Sequence, residues 1–110
     1  MKHTPIGQLR HKIDIVRKKQ GATNDRGKIA YSDEVLFSSV PAKVRKLRGG
    51  EVEKVRHIFS EAEYEITLRY RAGITRKMFC KFGDREFYIG DVNNIDERNQ
   101  WLVLTCKEVD

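Results

Sequence analysis

At 110 residues the chain has room for one domain with a single modest core, so residues 1–110 are read as one unit. Its 22 Lys and Arg outnumber 16 Asp and Glu, and the net charge of +6 favours an acidic partner, whether nucleic acid or an acidic protein surface. No apolar run approaches the ~20 residues that cross a bilayer, and no secretory apolar segment opens the chain. A soluble protein made in the cytoplasm, without a membrane partner, is therefore expected.

Thr4 and Pro5 make a helix-start signature, since Thr caps and Pro suits the first helical position. One short turn then places Ile6 and Leu9 on the core. From Leu9 the period changes to two, with Leu9, His11, Ile13 and Ile15 on one side and Arg10, Lys12 and Asp14 on the other. That alternation predicts a half-buried strand. Residues 18–33 follow as a long polar link with Gly21, Asn24, Asp25 and Gly27 as turn residues, either a loose hairpin tip or a contact loop.

Strand pattern resumes at Val35, with Leu36, Ser38, Val40, Ala42 and Val44 on one face and Lys43 and Arg45 opposite. Pro41 has no N–H, which predicts an edge, bulge or bend there. The alternation fails at Lys46 and Leu47, and regular pairing should end before Gly49 and Gly50. From Gly50 to Ser60 the period is helical: Val52, Val55 and Phe59, with Ile58 alongside, form a narrow apolar stripe over roughly three turns. Glu51 and Glu53 near its start, and Arg56 and His57 later, suit the helix dipole.

Tyr64, Ile66, Leu68 and Tyr70 alternate with Glu65, Thr67 and Arg69, the clearest strand pattern of all. Met78 to Phe82 predicts the next strand, a tight turn follows at Gly83 and Asp84, and Phe87 to Val92 and Trp101 to Val109 predict two more. Between those last two, residues 93–100 form a polar hairpin end. The predicted fold is mainly β: about six strands in a small closed or partly open antiparallel barrel, with one or two short helices, because closure removes exposed edges.

Catalytic signals are absent. His3, His11 and His57 match no zinc spacing, and Cys80 and Cys106 sit inside apolar runs as buried thiols, so neither metal nor cofactor is expected. Gly49-Gly50 lacks the Lys and Ser or Thr of a phosphate-binding loop. The carboxylates Glu61, Glu63 and Glu65 share a strand face with no apolar wall to raise a pKa, so an enzyme is not expected. One cluster does stand out: Lys43, Arg45, Lys46 and Arg48, followed by Lys54 and Arg56. It is either a solvated strand face or a basic surface that meets phosphates.

Several stretches, taken in order, resemble one family. They are Ile6-Gly7-Gln8-Leu9-Arg10-His11-Lys12-Ile13, Asn24-Asp25-Arg26-Gly27, Val40-Pro41-Ala42-Lys43-Val44, Arg69-Tyr70-Arg71-Ala72-Gly73-Ile74-Thr75 and Ile95-Asp96-Glu97-Arg98-Asn99-Gln100-Trp101-Leu102, with Cys106-Lys107-Glu108 at the end. Together they resemble the phage head–tail joining family, the small head-closure or stopper proteins of long-tailed bacteriophages and prophages. Ala72 departs from the family, whose turn commonly has Pro there, so this turn should be less rigid.

The resemblance implies a structural β-barrel in the virion neck that adds to the connector and portal ring after packaging. It implies a ring of copies, typically twelve, that seals the channel around packaged double-stranded DNA and gives the tail a docking surface. It further implies a chain that is monomeric alone and assembles on its connector. The family's stopper element maps onto residues 48–61, with Gly49 and Gly50 as hinge and Glu51 to Phe59 as insert. On this reading Lys43, Arg45, Lys46, Arg48, Lys54 and Arg56 face the channel, while Asn24, Asp25, Arg26 and Gly27, in the projecting loop 18–33, meet the connector. The alternative is an OB-like barrel that binds single-stranded nucleic acid. That mode needs aromatics and cations interleaved on an exposed face, whereas Tyr64 and Tyr70 share a face with Ile66 and Leu68 and point to the core.

Overall fold

The structure, a computed structural model, describes residues 9–23 and 29–109, so the expected turn of helix at residues 4–8 lies outside it. Strands β1 (His11–Thr23), β2 (Ile29–Lys46), β3 (Tyr64–Arg69), β4 (Phe79–Phe82), β5 (Arg85–Asn94) and β6 (Trp101–Val109) close into a barrel in the order β1-β2-β3-β6-β5-β4. Every neighbouring pair is antiparallel. A helix, α1 (Gly50–Arg56), leaves between β2 and β3, and a 3-10 turn at Ile95–Glu97 joins β5 to β6.

The barrel closes because alternate side chains of each strand are apolar and all point inward. Ile13, Ile15, Ala42, Ile66, Leu68, Cys80, Phe87, Ile89, Leu104 and Cys106 are fully buried. Fully burying a large apolar side chain is worth about 1.5–3 kcal/mol, so this interior supplies the main drive to fold. Ile74 and Met78, from the loop between β3 and β4, add to it. The two cysteines are free and buried, and the Cys106 thiol is pushed well above its ordinary range by its hydrogen bond with Cys80 and by burial. Such a thiol is a poor nucleophile.

Two irregularities bend β2. Register shifts relative to β1 place an extra residue at Ser38–Ser39 and another at Leu36, and Ser39 adopts φ 52°. The Ser39 N–H donates to Asp14 Oδ1 at 2.9 Å, which satisfies the group that the bulge removes from the ladder. Consecutive residues Ile15 and Val16 are both buried, but only Ile15 belongs to the barrel core. Pro41 itself stays in the β1–β2 ladder opposite Lys12, one residue before pairing with β3 begins at Ala42, and the bulge sits two residues earlier.

Residues 18–33, read from the sequence as a polar link that is a hairpin tip or a contact loop, carry strand pairing over most of their described length. The β1–β2 ladder continues through Lys18↔Asp33, Lys19↔Ser32 and Gln20↔Tyr31 to Thr23↔Ile29. Only β1 residues Asp14–Val16 pair with β4, and only β2 residues Ala42–Lys46 pair with β3. The remainder is thus a two-stranded arm, and the described chain is elongated, 53 × 28 × 26 Å. The arm's sequence carries no apolar alternation, so its pairing leaves no period-two signal. Charge pairs hold its base instead: Arg17 with Glu34 at 2.6 Å, Lys18 with Asp33 at 2.7 Å and with Glu86 at 2.9 Å, and Lys81 with Asp33.

Candidate functional site

The insert between β2 and β3 departs from the barrel and returns to the same point. Regular pairing ends at Lys46; the buried Leu47 donates its N–H to the Glu63 carbonyl at 2.9 Å, and Glu63 donates to the Cys106 carbonyl at 2.9 Å. These bonds stitch the two ends of the excursion together. Gly49 turns the chain with φ 52° and ψ −129°, a region open essentially to glycine alone. Helix α1 starts there without a side-chain cap, held by Glu51 N–H to Arg48 carbonyl and Val52 N–H to Gly49 carbonyl, both 3.1 Å.

The helix covers Gly50–Arg56, two turns where the sequence predicted three, and buries none of its residues. The stripe is too narrow to seat a third turn: Val52 and Val55 are half-buried while Ile58 is 67% exposed. Two side-chain contacts position it. Arg45 on β2 bonds both carboxylate oxygens of Glu51 (3.0 and 2.7 Å) and reaches its cross-strand partner Glu65 at 3.3 Å. The Arg45 guanidinium, through its hydrogen bonds first, holds the Glu51 carboxyl below its ordinary value. Phe59 supplies the second contact. Its ring lies on Gly90, where a Cβ would come within 2.3 Å of a ring carbon, and 6.1 Å from the Tyr88 ring. A register shift between Ile89 and Asp91 marks Gly90 as a bulge in β5, so an absent side chain there becomes a seat.

The predicted basic residues are therefore divided. Arg45 is committed to Glu51 and Glu65 and acts as a clip. Lys43 lies farther up β2, half-buried, beside a shallow pocket shared with Arg10, His11 and Val44. Lys46, Arg48, Lys54 and Arg56 are exposed at the end of β2 and on the insert, with Lys54 and Arg56 in the last turn of α1. No carboxylate among the described residues forms an ion pair with Arg48, Lys54 or Arg56. Asn24, Asp25, Arg26 and Gly27 lie outside the described residues. Sequence reasoning missed Glu51, Glu65, Phe59 and Gly90 as positioning residues; only the spacing of Arg45 and Glu51 carried any signal.

Among the described residues no group of three or more His, Cys, Asp or Glu could hold a metal ion, and no helix is long and apolar enough to cross a membrane. Fold and site together define a small closed β-barrel protein with an arm and a tethered insert. The sequence pattern of the phage head completion proteins matches residues 4–109, and the chain belongs to that family. It is a structural component of the phage virion with a role in head completion, and its family membership implies contact with other virion parts. No curated protein matches the chain. The solution structure of protein SF1141 from Shigella flexneri 2a shares the fold, with a TM-score of 0.67, 22% identity and coverage of 96% of each chain.

Proposed function

We propose that this protein closes the filled head as a neck ring built on the connector beneath the portal. Copies of the chain, twelve in the ring, surround the channel, help retain packaged double-stranded DNA and present a docking surface to the tail. The protein is made in the host cytoplasm and ends at the head–tail interface. The observation that carries this reading is the insert: an excursion stitched at its base, with a helix that buries none of its residues, and bearing Arg48, Lys54 and Arg56 without ion-pair partners among the described residues. In a channel those cations face phosphates, and their contribution falls with salt as counterions are released. The arm tip around residues 24–27 is assigned to the connector. Heterologous contacts between barrels close into a ring where the rotation fits.

Two measurements test this. Size-exclusion chromatography with and without connector rings should show a monomer alone and a ring-sized complex on the connector; no association with any connector ring defeats the proposal. Virions carrying the triple substitution Arg48→Ala, Lys54→Ala and Arg56→Ala should assemble a neck yet lose packaged DNA faster in high salt. Unchanged DNA retention would remove the insert from the channel.

A further inference from the structure

A second surface, made without any residue of the insert, has the chemistry of a nucleic-acid contact. Arg69 ends β3 and Trp101 begins β6, and the two are register partners. The Arg69 guanidinium lies 5.8 Å from the Trp101 ring centroid. Two positions along, the Arg71 guanidinium lies 5.6 Å from the Phe37 ring of β2. Both arginines are exposed, and neither forms an ion pair among the described residues. A guanidinium laid over a ring keeps its in-plane donors available, and each carries five.

Arg69 borders two neighbouring clefts. One, of about 400 Å³, is lined by Tyr70, Asn99, Gln100 and Trp101 besides Arg69. The other, of about 270 Å³, lies against Val40, Pro41 and Arg71. No carboxylate lines either cleft. The wall formed by the β5–β6 turn is locked in place. Asn94 Nδ2 donates to Asn99 Oδ1 at 2.7 Å, the Asn99 N–H donates back to Asn94 Oδ1 at 3.1 Å, and the Tyr70 N–H donates to the Gln100 carbonyl at 2.9 Å. Asn99 holds φ 56°, a conformation its amide side chain tolerates. A cleft fixed in this way pays little ordering cost when a ligand enters.

We infer that this end of the barrel binds single-stranded nucleic acid, with Arg69 and Arg71 on the phosphates and the Trp101 ring, in the larger cleft, serving an unpaired base. Aromatic rings interleaved with cations suit a single strand because every unpaired base offers a π face, whereas a duplex keeps its faces stacked inside. The inference does not rest on the ring reading, and the two fail separately.

Trp101 is the single tryptophan of the chain and reports on the cleft directly. Titrating the full-length protein with a short oligothymidylate should change its emission saturably, and added salt should weaken the binding. Arg69→Ala with Arg71→Ala should reduce affinity by about tenfold or more, while Arg76→Ala, which removes an exposed cation outside both clefts, leaves it unchanged. Because both arginines also cover rings, Arg69→Lys with Arg71→Lys serves as a second variant. It keeps the charge, loses the planar fork, and should bind with intermediate affinity. The inference is overturned by unaltered Trp101 emission, by equal binding of a duplex of the same length, by equal competition from inorganic polyphosphate, or by an equal loss of binding in Arg76→Ala.

Discussion

The barrel and the insert are neighbours in the chain and opposites in construction. Each barrel strand pairs with two neighbours, and the inward side chains are excluded from water. The insert is tied by the bonds of Leu47 and Glu63 at its base, one ion-paired arginine and one aromatic ring on a glycine. Core burial is worth kilocalories per side chain, whereas half-exposed contacts are screened by solvent and worth far less. The difference teaches how one small domain combines a frame held by burial with a segment held by a few exposed contacts. Local opening of such a segment need involve only a fraction of the global stability.

The largest effect expected from breaking this contrast is on the frame. The Phe87 ring is fully buried, edge-on to Tyr64 at 5.0 Å and covered by Arg85 at 4.9 Å. Replacing it with Ala should cost about 3–5 kcal/mol in urea unfolding, and barrel and insert signals should be lost together. A loss under about 1 kcal/mol would deny that the barrel interior dominates.

An intermediate effect is expected at Gly90. In Gly90→Ala the new methyl meets the Phe59 ring, which must swing away because it is the movable partner. Trypsin should then cleave after Lys54 and Arg56 several-fold faster, while barrel stability changes by about 1–2 kcal/mol. A large stability loss with unchanged cleavage would instead make Phe59 part of the core.

The smallest effect is the acid response of the clip. Glu51 has its folded pKa lowered below the ordinary 4.5 by Arg45. Its charged form is thus favoured by docking, so the contribution is fully present above that ordinary value and lost as pH falls through the lowered one. Amide chemical shifts of α1, followed on acidification, should move toward an undocked position in that window, and Glu51→Gln should abolish the dependence. The pair of Arg85 and Glu108, whose carboxyl is lowered in the same direction, ties β5 to β6 and should report separately on the frame.

Much of the frame was legible before any coordinates. Ile66 and Leu68, or Leu102, Leu104 and Cys106, announce strands because burial on one face imposes a period of two. The end of β2 at Lys46 and the turn at Gly49 were equally readable from a broken alternation and a glycine pair. The arm was not legible, since its residues display no apolar period. Nor was the division of the basic cluster: six cations within a short stretch look alike in sequence, and only the positions of Glu51 and Glu65 commit Arg45 and leave Arg48, Lys54 and Arg56 to solvent.

Local pattern, then, determined the strands, the inward faces, the absence of catalytic spacing and the family resemblance, because each depends on residues a few positions apart. Tertiary structure alone decided that Phe59 rests on Gly90, that Arg69 meets Trp101, and that Ser39 rather than Pro41 carries the bulge. Those features join residues distant along the chain, and the closing of the barrel is what brings them within reach of one another.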